Sequence, residues 1–496
     1  MIMNKLFDDF DRNNIRYIHF KSNTNLHDSF AGKGDFDVLV DKNRLMDIER
    51  IIADNNGKRH NPVRFGQYPG VDNWLVFDDE TGVIYHLHLH YQLATGKKLL
   101  KDYIIPWENI LFETRIRDEE YGIYITDPSL ELILLSVRSV LKSRLSDWIK
   151  ARIGLYRLHI DLENERRALL SKTDFSTLEY YLRMLFDEIY IDHLLSIMKQ
   201  ENVNSRNFRK LSKIVRKSMR LNRRYNALRA NTESFFNQCI HMKNRIDDMF
   251  LGKCRMVKKT CLSGGLIIAF VGVDGSGKST TTKEISSWMG KKIECKRFYM
   301  GAGDGKTTPF VHIMKKLNNM TGERGTHKGN SGKRIFFLKN PIGYIKKFVK
   351  MLVIYDVEKN NTKQIKTMQR YRLNGGISLL DRYPQIEMEG RNDGPKIPVY
   401  ESMIGSTHLT KRLKRKEEKQ LSIVKSIKPD IIFRLNISAE TSMARKPEQK
   451  DISEFQGKID DLKKITFQNA FIIDIDAEQP YDDELLEIKR ILWNYI

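Results

Sequence analysis

The chain is poor in cysteine. It has four, Cys239, Cys254, Cys261 and Cys295, among 496 residues, and none belongs to a CxxC pair or to a zinc-like spacing. Disulfide-stabilised domains need a denser cysteine framework than this. The scarcity therefore excludes a disulfide-based fold and indicates a reducing compartment.

Long apolar runs are missing too. No stretch approaches the ~18 consecutive apolar residues of a spanning helix, and the N-terminal sequence MIMNKLFDDFDRNN turns acidic before the apolar part of a signal peptide could form. We predict a cytoplasmic protein. A chain of 496 residues is long enough for several domains, since one domain usually takes roughly 100–200 residues.

Proline is absent between Pro128 and Pro309, and apolar residues recur at helical spacing over much of this interval. We predict an α-helical middle region over 127–262, with Asp127 as the N-cap of its first helix and Pro128 at the first helical position. Residues 1–126 contain the strand-like runs IRYIHF, FDVLV, NWLVF and VIYHLHLHY, with a hairpin turn over 78–82 between the last two. This N-terminal segment is predicted to be an α+β domain.

The third segment, 263–496, alternates strand and helix patterns. Its short apolar runs are LIIAFVG, KRFYM, GISLLD, DIIFRLNIS and AFIIDID, and each pair is separated by enough residues for a crossover helix. That alternation is typical of a parallel sheet covered by helices. The predicted fold class is therefore α/β, with the α+β and helical segments in front of a parallel-sheet domain.

Positive charge is concentrated in one place. The net charge is +22, and residues 205–260 contain 16 Lys and Arg against three Asp and Glu. One interpretation is a solvated helix face above a packed stripe made of Leu211, Ile214, Val215, Met219, Leu221 and Leu228. The other is a contact surface for an anionic membrane or a polyanion. Nucleic acid is the less favoured partner, because only Phe208 and Tyr225 supply aromatic rings for stacking.

The stretch GVDGSGKS matches the phosphate-binding pattern G-x-x-x-x-G-K-[ST], between an apolar strand and a helix. Backbone N–H groups of such a loop surround phosphates, its lysine reaches the β and γ oxygens, and its serine ligates Mg²⁺. The pattern predicts binding of ATP with Mg²⁺. The residues expected to hold them are Gly272, Asp274, Gly275, Ser276, Gly277, Lys278, Ser279 and Thr280.

Two later features favour phosphoryl transfer. Asp381 ends the strand GISLLD, where it can hold a metal ion or orient an acceptor hydroxyl, and Arg382 beside it can bind a phosphate. The helix in LNISAETSMARK ends in Arg445 and Lys446, as a positively charged lid would. The alternatives are a strand-end ion pair for Asp381 and Arg382, and a solvated helix end for Arg445 and Lys446.

The stretches FVGVDGSGKSTTTKEI, LLDRYP and PDIIFRLNISAETSMARK together resemble thymidylate kinases, over about 265–496. The resemblance implies a nucleoside monophosphate kinase fold, in which Asp381 and Arg382 take metal-side and acceptor-side roles. It also implies that Asp274 faces the acceptor hydroxyl and that Arg445 is the catalytic arginine of the lid.

The base-reading parts of that family are replaced. KRFYMGAGDGKTTP stands where an Arg-Glu-Pro-Gly-Gly-like element is expected, and PQIEMEGRNDGPKI follows the Asp-Arg-Tyr motif in place of a thymine-seating helix. GAGDG and NDGP are similar instead to thymidylate kinase-like proteins associated with bacterial surface-polysaccharide genes. The acceptor is therefore not assumed to be a nucleotide.

Near the N-terminus, GDFDVLV places Asp35 and Asp37 on one face of a strand, where two carboxylates can share Mg²⁺. With Lys21 and Ser22 upstream, this stretch resembles polymerase-β-type nucleotidyltransferases, which usually add a third carboxylate from a neighbouring strand. His88, in HLHLHYQL, occupies that position. His86, His88 and His90 either join the aspartates around a transition metal or form a polar strand face without one; an Asp-x-Asp strand edge without any metal is a further interpretation.

We expect an ATP-dependent phosphotransferase acting on an unidentified hydroxyl or phosphate acceptor, with a role in surface-polysaccharide biosynthesis. Three alternatives stay open: nucleotidyl transfer at Asp35 and Asp37, a non-catalytic ATP-dependent regulator or scaffold, and a thymidylate kinase. The segment RIFFLKNPIGYIKKFVKMLVIYD (334–356) is either a helix that covers substrate or an interfacial segment, which would place the protein at the inner face of a membrane.

Overall fold

The computed structural model describes residues 1–63, 65–251, 255–300, 341–445 and 452–496. The chain divides into two compact units. The first comprises Met1–Leu251 and Val257–Leu262, and the second covers the described residues from Ser263 to Ile496. The segments predicted over 1–126 and 127–262 both belong to the first unit, and the boundary between them stays a prediction.

The first unit is built on a mixed sheet. Its strand order is β10-β3-β4-β5-β2-β1-β9-β8, and β6 pairs with β7 separately. The pairs β2–β5 and β1–β9 are parallel, and the other pairs are antiparallel. The strands are Tyr17–His19 (β1), Asp35–Val40 (β2), Gly57–Asn61 (β3), Val71–Phe77 (β4), Ile84–His90 (β5), Leu93–Thr95 (β6), Tyr103–Ile105 (β7), Ile116–Arg117 (β8), Tyr124–Ile125 (β9) and Thr260–Cys261 (β10).

The helices of the first unit follow the predicted pattern. The Asp127 side chain accepts a hydrogen bond of 2.8 Å from the backbone N–H of Ser129, and Pro128 opens the helix, so the predicted cap is confirmed. The helices are Ile2–Arg12 (α1), Leu26–Phe30 (α2), Leu45–Asp54 (α3), Glu108–Glu113 (α4), Pro128–Lys142 (α5), Leu145–Arg152 (α6), Ile160–Leu170 (α7), Phe175–Leu185 (α8), Ile191–Met198 (α9), Ser205–Ser218 (α10) and Ala227–Leu251 (α11).

The predicted hairpin turn is also confirmed. The Asp78 carboxylate accepts hydrogen bonds from the backbone N–H groups of Glu80 and Thr81, and Gly82 takes the left-handed conformation with φ +70°. A carboxylate that caps two turn amides stabilises the reversal between β4 and β5. This hairpin fixes the register of β5, the strand that carries three histidines.

The basic helices of the first unit are packed on one side. Leu211, Ile214, Val215 and Met219 are buried, as the packed stripe predicts. Leu221 and Leu228 are exposed, and their predicted place in the stripe is wrong. The helix α10 ends at Ser218 and α11 begins at Ala227, so the helical period that we extended across both is broken between them.

The second unit contains a parallel five-stranded sheet of described strands, in the order β12-β13-β11-β14-β15. This confirms the predicted α/β class. The strands are Ile267–Gly272 (β11), Cys295–Tyr299 (β12), Ile377–Asp381 (β13), Ile431–Asn436 (β14) and Ile472–Asp476 (β15). The helices are Lys278–Gly290 (α12), Pro341–Leu373 (α13), Ile397–Ile404 (α14), His408–Ser426 (α15), Ala439–Arg445 (α16), Ile452–Lys464 (α17) and Tyr481–Tyr495 (α18).

The central strand β11 lies where the chain changes direction across the sheet. The next strand, β12, lies on one side of it beyond β13, and β14 lies on the other side. Open parallel sheets bind ligands at the carboxyl ends of strands beside such a reversal. The loop 273–277, which follows β11, is therefore at the position where a ligand is expected.

Some predicted features lie outside the described residues. These are the GAGDG stretch at 301–305, the first part of the segment 334–356, and Lys446. Among the helices of the described part, none has the length and apolar character needed to cross a bilayer.

Candidate active site

The loop between β11 and α12 contains two glycines in the left-handed conformation. Gly275 and Gly277 both have φ +89°, a conformation that residues with a Cβ adopt only with strain. A Cβ on Gly275 would also lie 3.1 Å from the backbone oxygen of Ser442, which belongs to α16. The loop therefore needs glycine at Gly275 for its backbone angle and for its contact with a neighbouring helix.

Lys278 is the buried cation of this loop. Its Nζ donates a hydrogen bond of 2.6 Å to the backbone oxygen of Val273 and lies 3.4 Å from the hydroxyl of Ser276, while the residue is only 6% exposed. Burial, and then repulsion from the Arg382 guanidinium, lower the pKa of Lys278 to about 8. An anion bound in the loop would favour the charged form of this amine.

The first turn of α12 presents hydroxyl groups beside Lys278. Ser279 and Thr280 are exposed, and the Thr280 N–H donates to the backbone oxygen of Gly277 over 2.9 Å. Thr281 anchors the helix from its buried side, through a hydrogen bond of 2.9 Å to the Glu484 carboxylate. The Ser279 hydroxyl therefore lies at the open side of the loop.

Asp381 ends β13 and is fully buried. In the sheet register it stands beside Phe270 of β11. Its Oδ2 accepts a hydrogen bond of 2.6 Å from the guanidinium of Arg297 on β12, and its Oδ1 has no hydrogen-bond partner among the described residues. A buried carboxylate oxygen without a partner is costly, and Mg²⁺ takes oxygen ligands. The Oδ1 atom of Asp381 and the hydroxyl of Ser279 therefore fit the Mg²⁺ expected with ATP.

Arg382 bridges two carboxylates. It donates hydrogen bonds of 3.0 Å to Asp274 and 3.4 Å to Asp393, and its backbone is left-handed with φ +74°. Burial alone would lower the pKa of Arg382, but Asp393 and Asp274 raise it above its usual value. Strained backbone in a non-glycine residue is typical of functional sites. The structure thus joins the predicted residues Asp274 and Arg382 directly, and it adds Asp393, which the sequence did not single out, as a second partner of Arg382.

Asp274, Lys278, Arg382 and Asp393 line a cavity of about 590 Å³, a volume within the usual range for small-molecule sites. The loop after β11, the segment after β13 and the helix α17 all contribute to its walls. Its lining includes the cations Lys278, Arg382, Arg391, Lys396 and Lys458. A cavity with this many basic groups suits a phosphate-bearing ligand.

Arg445 lies on α16 beside the glycine loop, and like the predicted residues Ser279 and Asp381 it does not contribute to the cavity wall. It is exposed, and its guanidinium donates to the backbone oxygens of Gly275 at 3.3 Å and Ala477 at 3.2 Å. It is not among the residues that line the cavity. Lys458 and Arg391 do line it, although nothing in the sequence distinguished them from other surface cations.

A second, smaller cavity of about 90 Å³ adjoins the same segment after β13. Asp393 and Lys396 line both cavities, and the walls of the smaller one are otherwise mainly apolar. Two oxygen atoms on its lining residues, Oε2 of Glu358 and Oε1 of Gln420, are buried and have no hydrogen-bond partner in the described part of the chain. Burial, together with the neighbouring Glu417, raises the pKa of Glu358 well above its usual value.

The first unit holds the predicted Asp-x-Asp strand. The parallel register between β2 and β5 sets Asp35 beside His86 and Asp37 beside His88. The Oδ1 atom of Asp37 lies 2.7 Å from the Lys21 ammonium, 3.3 Å from Nδ1 of His88 and 3.2 Å from Nε2 of His90. Burial would raise the pKa of Asp37, but Lys21 and both histidines hold it well below its usual value.

Three further cations surround this strand pair. Burial, Lys21 and Arg138 lower the pKa of Lys101 to about 8, and repulsion from Arg138 is the main cause that lowers the pKa of Lys142 to about 6. The shared oxygen of Asp37 is already occupied by Lys21 and two imidazoles. This nitrogen-rich surrounding suits Mg²⁺ poorly, because Mg²⁺ takes oxygen ligands, and the assignment of Mg²⁺ to Asp35 and Asp37 stays a prediction.

Comparison with known proteins gives partial matches. No model of a protein family matches the chain. The "Uncharacterized ATP-binding protein YghR" of Escherichia coli (strain K12) is 28% identical over 225 residues, which is 45% of this chain and 85% of that protein. The "Uncharacterized ATP-binding protein YghS" of the same strain is 27% identical over 232 residues, or 44% of this chain and 89% of that protein.

Two solved structures of a deoxyadenosine kinase from M. mycoides, one with bound dCTP and one with the products dCMP and dCDP, are also similar. They are 14% and 15% identical, with TM-scores of 0.26 and 0.27, and each match covers 47% of this chain and 100% of the other. What the geometry itself establishes is an α/β unit in which a glycine loop, a buried lysine and a basic cavity lie together at the carboxyl end of β11.

Proposed function

We propose that the second unit is an ATP-dependent phosphotransferase. The observation that carries this proposal is the position of Lys278, which is buried in the glycine loop and lines a basic cavity shared with Arg382 and Asp393. The relatives named as ATP-binding proteins support the choice of nucleotide. The acceptor is a hydroxyl or phosphate compound that enters the cavity from the side of the segment after β13.

Each group has a defined part in this reaction. Backbone N–H groups of the loop and the Lys278 ammonium hold the β- and γ-phosphates, and the Arg382 guanidinium offsets negative charge as the acceptor approaches. Mg²⁺, held by Ser279 and Asp381, would neutralise phosphate charge. The acceptor oxygen forms a bond to the γ-phosphorus while the bond from that phosphorus to the bridging oxygen of ADP breaks. The proton of an acceptor hydroxyl passes to the carboxylate at the junction of the two cavities, which is Asp393.

The smaller cavity indicates what the acceptor looks like. Its walls are mainly apolar, and Gln420 and Glu358 each leave one oxygen without a partner there. A compact molecule with an apolar body and hydroxyl or amino groups would satisfy these oxygens. The motif resemblance to surface-polysaccharide-associated proteins favours a carbohydrate acceptor, of which only the hydroxyl groups, and not an apolar body, match this description.

The experiment is an acceptor screen with [γ-³²P]ATP, using sugars, nucleotides including dTMP, and lipid-linked glycans. We expect label transfer to one class, abolished in Lys278→Ala and retained in Lys283→Ala, whose lysine is exposed on the same helix. Full turnover in Lys278→Ala would contradict the proposal. Transfer to dTMP would favour a thymidylate kinase, and tight ATP binding without transfer would favour a non-catalytic regulator.

Nucleotidyl transfer by the first unit is the second candidate. It is favoured by the group of cations, Lys21, Lys101, Arg138 and Lys142, close to the Asp-x-Asp strand, since such a group attracts phosphates. Label from [α-³²P]ATP would then be transferred to an acceptor, and Asp35→Ala would abolish the transfer. Retention of label transfer in that variant would argue against this candidate.

We also propose that α10 and α11 contact an anionic membrane surface. Phe235, Phe236 and Met249 are exposed on α11, whose three basic and three acidic residues balance, and α10 carries six Lys and Arg without an acidic residue. Aromatic residues together with a cluster of basic residues are typical of interfacial binding. Flotation with vesicles that contain anionic lipid should recover the protein at low salt, less at 1 M NaCl, and least for Phe235→Ser/Phe236→Ser. Equal recovery with neutral vesicles would contradict an electrostatic contribution.

A further inference from the structure

Three potential metal ligands come from neighbouring strands of the first unit. Asp35 lies on β2 and stands beside His86 of β5, and His88 follows two residues later on the same face of β5. One donor atom from each of these residues can be chosen so that all three lie within 4.8 Å of one another. Their backbones are held by the sheet, so the set does not depend on a loop.

The separation of the donor atoms suits a bound ion. The Oδ1 atom of Asp35 lies 2.8 Å from Nδ1 of His86. Two donors that bind one ion at ~2.1 Å stand ~3.0 Å apart in octahedral geometry and ~3.4 Å apart in tetrahedral geometry. A shift of a few tenths of an ångström between these two side chains would therefore admit an ion.

Each histidine has one ring nitrogen held by an outer acceptor. Nε2 of His86 lies 3.3 Å from Oδ1 of Asn73, and Nδ1 of His88 lies 3.3 Å from Oδ1 of Asp37. When these nitrogens carry the protons, Nδ1 of His86 and Nε2 of His88 have free lone pairs. Metal-binding histidines are typically oriented by such acceptors. In this tautomer the lone pair of His86 faces the carboxylate of Asp35, an arrangement that a cation stabilises.

Asp37 and His90 are not among the proposed ligands of this ion. Asp37 is held by the Lys21 ammonium at 2.7 Å, and Nε2 of His90 lies 3.2 Å from the same oxygen. Lys21 thus supplies the positive charge that Asp37 requires. Asp37, His88 and His90 form a second possible set of ligands. Because the Asp37 oxygen already lies beside the Lys21 ammonium, we treat Asp37 as a positioning residue that orients His88 and assign the ion to Asp35, His86 and His88.

We propose that the first unit binds one divalent first-row transition ion through Asp35, His86 and His88. Two imidazole nitrogens and one carboxylate form a set that prefers Zn²⁺ or Mn²⁺ over Mg²⁺. The side chains of Asp35 and His88 are 43% and 28% exposed, so solvent or a substrate reaches the remaining coordination positions. The proposal does not rest on the kinase function, because the ligands lie in the other unit.

The test uses the full chain without an affinity tag, stripped with a chelator and titrated calorimetrically with Zn²⁺, Mn²⁺ or Mg²⁺ in the absence of nucleotide. We expect one equivalent of Zn²⁺ to bind at micromolar concentration or tighter, Mn²⁺ to bind more weakly in line with the usual affinity order, and Mg²⁺ to give no heat below millimolar concentration. Titration with Co²⁺ should produce visible absorption bands of a nitrogen- and oxygen-bound ion. Absence of both Zn²⁺ binding and Co²⁺ bands in the unmodified chain would overturn the proposal.

Variants locate the ion. Asp35→Asn, His86→Gln and His88→Gln should each weaken Zn²⁺ binding at least ~100-fold, and Asp37→Asn should weaken it ~10- to 100-fold as an outer partner. The exposed His193→Ala is the matched control and should bind as the unmodified chain does. ATP binding by the second unit reports that each variant is folded and is expected to be unchanged. Zn²⁺ binding that survives in both folded histidine variants would also overturn the proposal.

Discussion

Lys278 should take up a proton when ATP binds. In the free protein, burial and the Arg382 guanidinium hold the pKa of this lysine at about 8. Phosphate oxygens beside the amine favour its charged form and raise that pKa in the complex. Binding is therefore strongest at low pH and weakens as pH rises through the free-protein pKa, because an increasing share of the lysine must be protonated on binding.

The magnitude follows from the pKa. If the pKa in the complex lies above ~10, binding takes up ~0.1 proton at pH 7, ~0.5 at pH 8 and ~0.9 at pH 9. Integrated over that interval, the dissociation constant for ATP rises ~10-fold from pH 7 to pH 9, which is ~1.4 kcal/mol. The phosphates contribute little to this change, since their second ionisation lies near ~6.

The assay is isothermal titration with ATP in buffers of different ionisation enthalpy at each pH, which counts the protons taken up. Lys278→Arg keeps a positive charge that does not titrate in this range, so it should bind ATP without proton uptake. Lys283→Ala, on the exposed side of the same helix, should behave as the unmodified chain. An affinity that changes less than twofold between pH 7 and pH 9, with no proton uptake, would refute the assignment of Lys278 to the phosphates.

Three further predictions concern the same unit. Arg297→Met should lower the free energy of unfolding by ~3–5 kcal/mol in urea denaturation, because it leaves the buried Asp381 carboxylate without its partner. Adding Asp381→Asn, which removes the unpaired charge, should restore part of that loss. Gly275→Ala should lower the free energy of unfolding by ~1–2 kcal/mol and weaken ATP binding. Gly290→Ala is the control and should do neither, because a Cβ at Gly290 would meet open space. Equal effects of the two substitutions would contradict the strain argument. Glu358→Gln should leave the free energy of unfolding unchanged near pH 5 and raise it by at least ~1 kcal/mol at pH 8. The reason is that a carboxyl whose pKa is raised by folding destabilises the folded protein as pH rises above the pKa of the unfolded chain. Glu418→Gln, at an exposed position, is the control.

Local patterns predicted the elements that depend on local physics. The five predicted runs of the second unit are its strands. The inner strands β11, β13 and β14 are largely buried, and a parallel strand buried on both faces needs a continuous apolar run, whereas β12 and β15 at the ends of the strand order are largely half-buried or exposed. The Asp127 cap and the turn at Asp78 were predicted from residue types that bond to their own neighbours. The strand β3 was not predicted, because its sequence GKRHN is polar and forms a strand only through pairing with β4 and β10.

The site depended on contacts between distant residues, which the sequence could not supply. Arg297 and Asp381 meet because β12 and β13 are parallel neighbours, and no local pattern gives that pairing. Asp393 reaches Arg382 through a turn in the segment PQIEMEGRNDGPKI, which has replaced the thymine-seating helix of thymidylate kinases. The order of the strands in the first unit likewise decided which aspartate faces which histidine. Sequence spacing identified the residue types, and the register determined their partners.

Asp381 shows how one buried carboxylate can satisfy two interpretations that we set against each other. An ion pair and a metal ligand would exclude each other if both used the same oxygen. Here the Arg297 guanidinium bonds to Oδ2 and leaves Oδ1 without a partner in the described chain. A fully buried carboxylate needs a cation to offset its desolvation, and Arg297 supplies one in the absence of nucleotide. The remaining oxygen is still without a donor among the described residues, and the negative charge of Asp381 contributes to raising the pKa of Lys278. The ion pair is therefore compatible with the metal-ligand role that we propose for Asp381, because the two roles use different oxygens.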